Sequence, residues 1–149
     1  MVSEREVIAR TVERLIEEVG SWEGITVAEH RFGGTEFRVG PREIGHVHAW
    51  GMLDIAYLRK LRDVLIDEGE TGVHHLLAES GWTTYYIESP DDYDHARWLL
   101  RLSYLYHVKI AKKTPAGAEE LAGVDVEAEV EGLGLSEPVR AAFERRGAA

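Results

Sequence analysis

The period of the apolar positions changes several times along the 149 residues. Ser3 followed by Glu6 has the spacing of a capping box, and Val7, Ile8, Val12, Leu15, Ile16 and Val19 recur at helical intervals up to Gly20. This predicts an amphipathic first helix. Between residues 22 and 50 the period shortens to two. Ile25 and Val27 alternate with polar residues, and Phe37 and Val39 alternate with Glu36 and Arg38. Two or three antiparallel strands follow, with a hairpin turning at Gly40-Pro41. Asp54 reads as the N-cap of a helix that carries Tyr57, Leu58, Leu61, Val64 and Leu65 on one face and stops at Gly69.

A further strand is expected over residues 82–88, after the turn-prone Ser80-Gly81. Ser89-Pro90-Asp91-Asp92 combines a cap, a proline and first-turn acids, and so opens a helix running past Tyr106 toward Lys113. Leu99, Leu100, Tyr104, Tyr106, Val108 and Ile110 make it apolar on more than one side, as suits the main helix against a sheet. From residue 114 the chain turns to Ala, Gly and Glu. Val124, Val126 and Val130 among acids predict an edge strand or an extended arm, and Ser136 caps a short helix bearing Val139 and Phe143. The expected fold is α+β: one domain with an antiparallel sheet packed by helices in a helix-sheet-helix layout. Its core spans residues 1–113, and residues 114–149 form an appended C-terminal extension.

Charge and composition narrow the function. The chain has 27 Asp and Glu against 17 Lys and Arg, a formal charge of -10, seven histidines and no cysteine. A surplus of carboxylates opposes binding to the phosphates of nucleic acid. No apolar run approaches the roughly 20 residues of a membrane span, and charge from Glu4 onward argues against a signal peptide, so a cytoplasmic protein without membrane contact is expected. A homodimer stays open. Without cysteine there is no disulfide and no thiol nucleophile, and a metal would have to be held by nitrogen and oxygen ligands.

The densest chemical signal is Gly45-His46-Val47-His48-Ala49-Trp50-Gly51, followed by Asp54 and later by His74-His75. On a strand, Ile44, His46, His48 and Trp50 share a face, with the two imidazoles about 7 Å apart. Imidazole titrates near neutrality and serves as base, acid or ligand. Trp50, Trp82 and Tyr104 are candidate aromatic walls, while His30, His95 and His107 look scattered and receive no role. The spacing resembles the first metal motif of cupins, but the acid comes one position late and no second motif follows. Neither a phosphate-binding glycine loop nor a G-x-S-x-G elbow occurs.

Arg31-Phe32-Gly33-Gly34-Thr35-Glu36-Phe37, Arg42-Glu43-Ile44-Gly45-His46-Val47-His48, Asp54-Ile55, His74-His75, Ser80-Gly81-Trp82 and Leu99-Leu100-Arg101-Leu102-Ser103-Tyr104 together resemble the luciferase-domain family over roughly residues 30–106. The family takes its name from the luciferase of luminous fungi and includes many small prokaryotic proteins of undetermined activity. In the fungal enzyme the resemblance implies oxidation of a hydroxylated styrylpyrone by O2 without a known organic cofactor. This chain is shorter and is expected to lack that enzyme's N-terminal anchor.

Three readings follow. In the first, a small-molecule pocket enzyme of oxygenase type, His46 or His48 takes a proton from an enolic or aromatic substrate, whose anion reacts with O2. His75 or His74 holds the anion, Asp54 orients an imidazole, and Trp50, Trp82 and Tyr104 contact the substrate. In the second, His46 and His48 with His75 or Asp54 hold a divalent metal. The third is a domain that binds a small ligand or partner without turnover.

Overall fold

The computed structural model describes residues 2–77 and 79–144. Helix α1 spans Glu4–Gly20, and Ser3 caps it by accepting from the Glu6 backbone N–H, as the capping-box spacing predicts. Strands β1 (Ile25–His30), β2 (Gly34–Val39), β3 (Arg42–Val47) and β4 (Met52–Ala56) follow as an antiparallel meander, with the β2–β3 hairpin turning at Gly40-Pro41. Helix α2 (Arg59–Asp67), the short β5 (Gly72–Val73) and β6 (Trp82–Tyr86) complete a six-stranded sheet in the order β1-β2-β3-β4-β6-β5. Ser89 accepts from the Asp91 N–H at a 3-10 turn that leads into the main helix, α3 (Tyr93–Ala111). The arrangement is the α+β class expected.

Period-two alternation divides the sheet into two unlike faces. Phe37, Val39, Val47, Leu53, Ile55 and Thr83 are buried on the side covered by α1 and α3, where they meet Val12, Leu15, Leu99, Leu100 and Tyr104. Gly45 permits this close packing. A side chain there would run into Leu100 at 2.8 Å and the Asp54 carbonyl at 2.8 Å. Ser103 on α3 ties the layers together, with its hydroxyl against the carbonyls of Ile44 (2.9 Å) and Ala56 (2.7 Å).

Three expectations are corrected. Asp54 does not cap a helix; it lies inside β4, because Leu53 and Ile55 on either side go into the core and carry the strand through it. The helix begins at Arg59 instead. Ile44 does not share the histidine face. The register slips so that Phe37 pairs with Gly45 and Arg38 with Glu43, leaving Ile44 as an extra residue that turns into the core. The C-terminal segment is neither strand nor extended arm but three helices, α4 (Pro115–Glu120), α5 (Val126–Gly132) and α6 (Glu137–Glu144). Thr114 and Asp125 cap the first two, and Ser136 accepts from the Val139 N–H at the third. Their apolar residues, Leu121, Val130, Val139 and Phe143 among them, join the same hydrophobic cluster as α3. Residues 145–149 of the predicted extension lie outside the described residues.

His107 shows how burial acts on an imidazole here. It is 6% exposed, with Nδ1–H donated to the Ser103 carbonyl at 2.8 Å, and burial lowers its pKa to about 4. A histidine whose folded pKa lies below its unfolded value stabilises the fold fully above pH 6.5 and loses that contribution as pH falls toward 4. Acid titration of stability between pH 6.5 and 4 is therefore expected to flatten by up to about 3 kcal/mol in His107→Gln, read from urea midpoints across that range.

Candidate functional site

The second face of the sheet is polar at its centre. Glu36 on β2 pairs across strands with His46 on β3, His46 with Asp54 on β4, and Asp54 with Thr84 on β6. Side chains directly opposite each other on antiparallel strands stand about 5 Å apart, so the register alone lines these four groups into one row. Asp54 is its centre. It is 1% exposed, yet its Oδ2 accepts from His46 Nε2 at 2.9 Å and His75 Nε2 at 3.2 Å and faces His74 Nε2 at 3.4 Å, while Oδ1 accepts from the Thr84 hydroxyl at 2.6 Å. Burial alone would raise its pKa, but these donors hold the carboxyl well below the usual range, so it is an anion.

The histidines differ in what their second nitrogen meets. His46 has Glu43 at 2.6 Å on Nδ1 and Asp54 on Nε2. Burial disfavours its charge, but the two carboxylates outweigh that effect and push its pKa up to about 9. It is an imidazolium with both protons committed. His74 is the opposite case: its Nδ1 accepts from the backbone N–H groups of Leu76 (3.0 Å) and Leu77 (2.9 Å). A nitrogen that accepts carries no proton, so the proton of the neutral ring is on Nε2, toward Asp54. Burial lowers its pKa, in agreement.

His75 also points Nε2 at Asp54, but its side chain is 32% exposed and no described residue engages its Nδ1. His48 is 4% exposed, its Nδ1 has no hydrogen-bond partner, and burial followed by the charge of His46 lowers its pKa. Gly34 makes room for it: a side chain there would stand 2.9 Å from the ring. Trp50 stacks on His48 at 4.3 Å, and Trp82 lies 5.3 Å from His46 and 6.1 Å from His74.

Of the residues singled out from the sequence, His46, His48, Asp54, His74, His75, Trp50 and Trp82 are thus brought together. Tyr104 is not. It packs in the core against Trp22 at 5.2 Å, and its hydroxyl donates to the Glu23 carbonyl at 2.6 Å.

Sequence reasoning missed four members. His30 on β1 stacks on His46 at 3.7 Å and bonds Glu36 through Nδ1 at 2.9 Å. Glu36 is buried and also paired with Arg38. Glu43 and Thr84 complete the set. The only signal available was alternation: Glu36 opposes Phe37 in phase and therefore belongs to the non-core face. A cleft of about 1130 Å³ lined by Lys109, Val124, Glu131, Arg140 and Phe143 lies among α3, α5 and α6 and includes none of these groups.

Residues 41–103 match the family model described as Luciferase domain. Over these residues the chain is similar to the luciferase-domain family. No curated protein and no solved structure matches it. The luciferase-domain match runs from the β2–β3 turn into α3 and takes in His46, His48, Asp54, His74 and His75, whereas His30 and Glu36 lie before it. No helix of the described residues is long and apolar enough to cross a membrane.

If Asp54 organises this polar face, Asp54→Asn leaves the His46 charge half paired in a buried position. A loss of about 3–5 kcal/mol is expected in chemical denaturation, with the His46 imidazole titrating well below 9 by NMR. Thr84→Val, which removes one charge-assisted hydrogen bond, is expected to cost about 1.5–3 kcal/mol.

Proposed function

We propose that this chain is a small-molecule enzyme of luciferase-like type, in which the Asp54–His75 pair removes a proton from an enolic or phenolic substrate that then reacts with O2. One observation carries the reading. Asp54 holds His75 through Nε2 and leaves Nδ1 unengaged on the partly exposed side of the cluster. A buried carboxylate behind an imidazole fixes the tautomer and stabilises the imidazolium that forms when the outer nitrogen takes a proton, the division of labour in hydrolase triads. His46 is a poor base, because both its nitrogens already face carboxylates. His74 is a donor only.

In this reading the substrate hydroxyl gives its proton to His75 Nδ1. The enolate carbon then bonds to O2, and the peroxide anion formed recovers the proton from His75, so substrate plus O2 becomes a hydroperoxide. Trp50 and Trp82 wall the site, and the exposed Phe32, Leu76 and Leu77 adjoin it in sequence. These side chains offer apolar surface on which an aromatic substrate can rest. The resemblance to the luciferase family supplies O2 as co-substrate, and the cluster supplies the base.

The test is O2 uptake by the full chain over a panel of hydroxypyrones and phenols. The expected result is uptake with at least one compound, reduced about 10²–10⁴-fold in His75→Ala. Full turnover in both His75→Ala and Asp54→Asn, or a compound bound but recovered unchanged in air, would sink the proposal.

A further inference from the structure

We infer that the β1–β3 part of this face binds a divalent transition-metal ion on His30, His46 and His48. Each of the three offers one ring nitrogen, and these atoms lie within 4.8 Å of one another. The rings are packed together: His30 is stacked on His46, and His48 stands edge-on to both at 6.0 Å. His48 Nδ1 is buried and without a hydrogen-bond partner. A buried nitrogen left bare is unfavourable, and an ion would satisfy it.

The groups behind the rings suit the same ligand. Glu36 accepts from His30 Nδ1 and Glu43 bonds His46 Nδ1, the carboxylate–histidine backing that orients metal-binding imidazoles. Charge points the same way. Three carboxylates (Glu36, Glu43 and Asp54) border the rings, and among the described residues Arg38 is the one arginine or lysine paired with any of them, so a cation entering here meets a surplus of carboxylates. With Glu43 on Nδ1, His46 ligates through Nε2, where the ion takes the place of the bond to Asp54. With imidazole donors predominating, the ion belongs to the zinc, cobalt, nickel, copper and iron class rather than to magnesium or calcium.

A second cluster, Asp54 with His74 and His75, has similar spacing. There His74 has its Nε2 proton fixed by the two backbone N–H groups on Nδ1. A ring in that tautomer cannot ligate through Nε2. The inference does not rest on the proposed reaction, since binding is read without turnover.

Full-length chain without a histidine tag is titrated with Co(II), followed by its visible absorption, and with Zn(II) by equilibrium dialysis. One equivalent is expected to bind, about 100-fold or more weaker in His30→Ala and in His48→Ala, about tenfold weaker in Glu36→Gln, and within about twofold of wild type in His75→Ala. Glu36→Gln keeps the side chain's shape and decides the matter if an alanine variant fails to fold. No stoichiometric binding at tens of micromolar metal overturns the inference. So does binding that survives loss of His30 and His48, or that is lost in His75→Ala, which would move the ion to Asp54.

Discussion

A carboxylate buried at the centre of a sheet is tolerable only when its charge is fully met by donors. Asp54 meets that condition through side chains on β3, on β6 and on the segment between β5 and β6. The rest of the polar face depends on this interaction. The Glu36, His46, Asp54 and Thr84 row exists because four strands share one register. A slip of one residue would move these groups into the helix-packed core and bring Leu53 and Ile55 to the other face. The apolar core and the polar row therefore enforce the same pairing from opposite sides of the sheet.

The same reasoning separates five histidines that are chemically alike as residues. His46 lies between two carboxylates, which favour its charged form. His74, accepting from two backbone amides, is a fixed neutral donor. His30 is backed by Glu36, His48 has a bare nitrogen, and His75 keeps one nitrogen outward. These differences divide the cluster into a part around Asp54, in which the outer nitrogen of His75 meets no described residue, and a part between β1 and β3, in which His48 Nδ1 is bare. Proton transfer and ion binding would then use neighbouring but separate nitrogens.

Much of the fold was legible in the chain because hydrophobic period reports which face of an element is buried. The first helix with its Ser3 cap, the hairpin at Gly40-Pro41 and the long helix opened by Ser89-Pro90 all follow from local rules. Asp54 was misread because an acid before an apolar helical stretch looks like a cap, whereas Leu53 and Ile55 demanded a strand. Val124, Val126 and Val130 were misread because two of their spacings fit alternation, although 126 and 130 also suit one helix face. In the fold Val124 and Val130 are buried in the shared core.

Sequence by itself determined the residue types of the site, the absence of thiol chemistry and the grouping of His46, His48, Asp54, His74 and His75 within one family-like stretch. Tertiary structure alone decided that His30 and Glu36 belong with them and that Tyr104 does not. The physical reason is that local rules act over one turn or one pleat, while cross-strand pairing in this row joins residues eight to thirty positions apart. The Ile44 bulge adds a further step, shifting the alternation of β3 so that Glu43 comes to the side of His46. Which nitrogen of each ring carries a proton follows only from those neighbours.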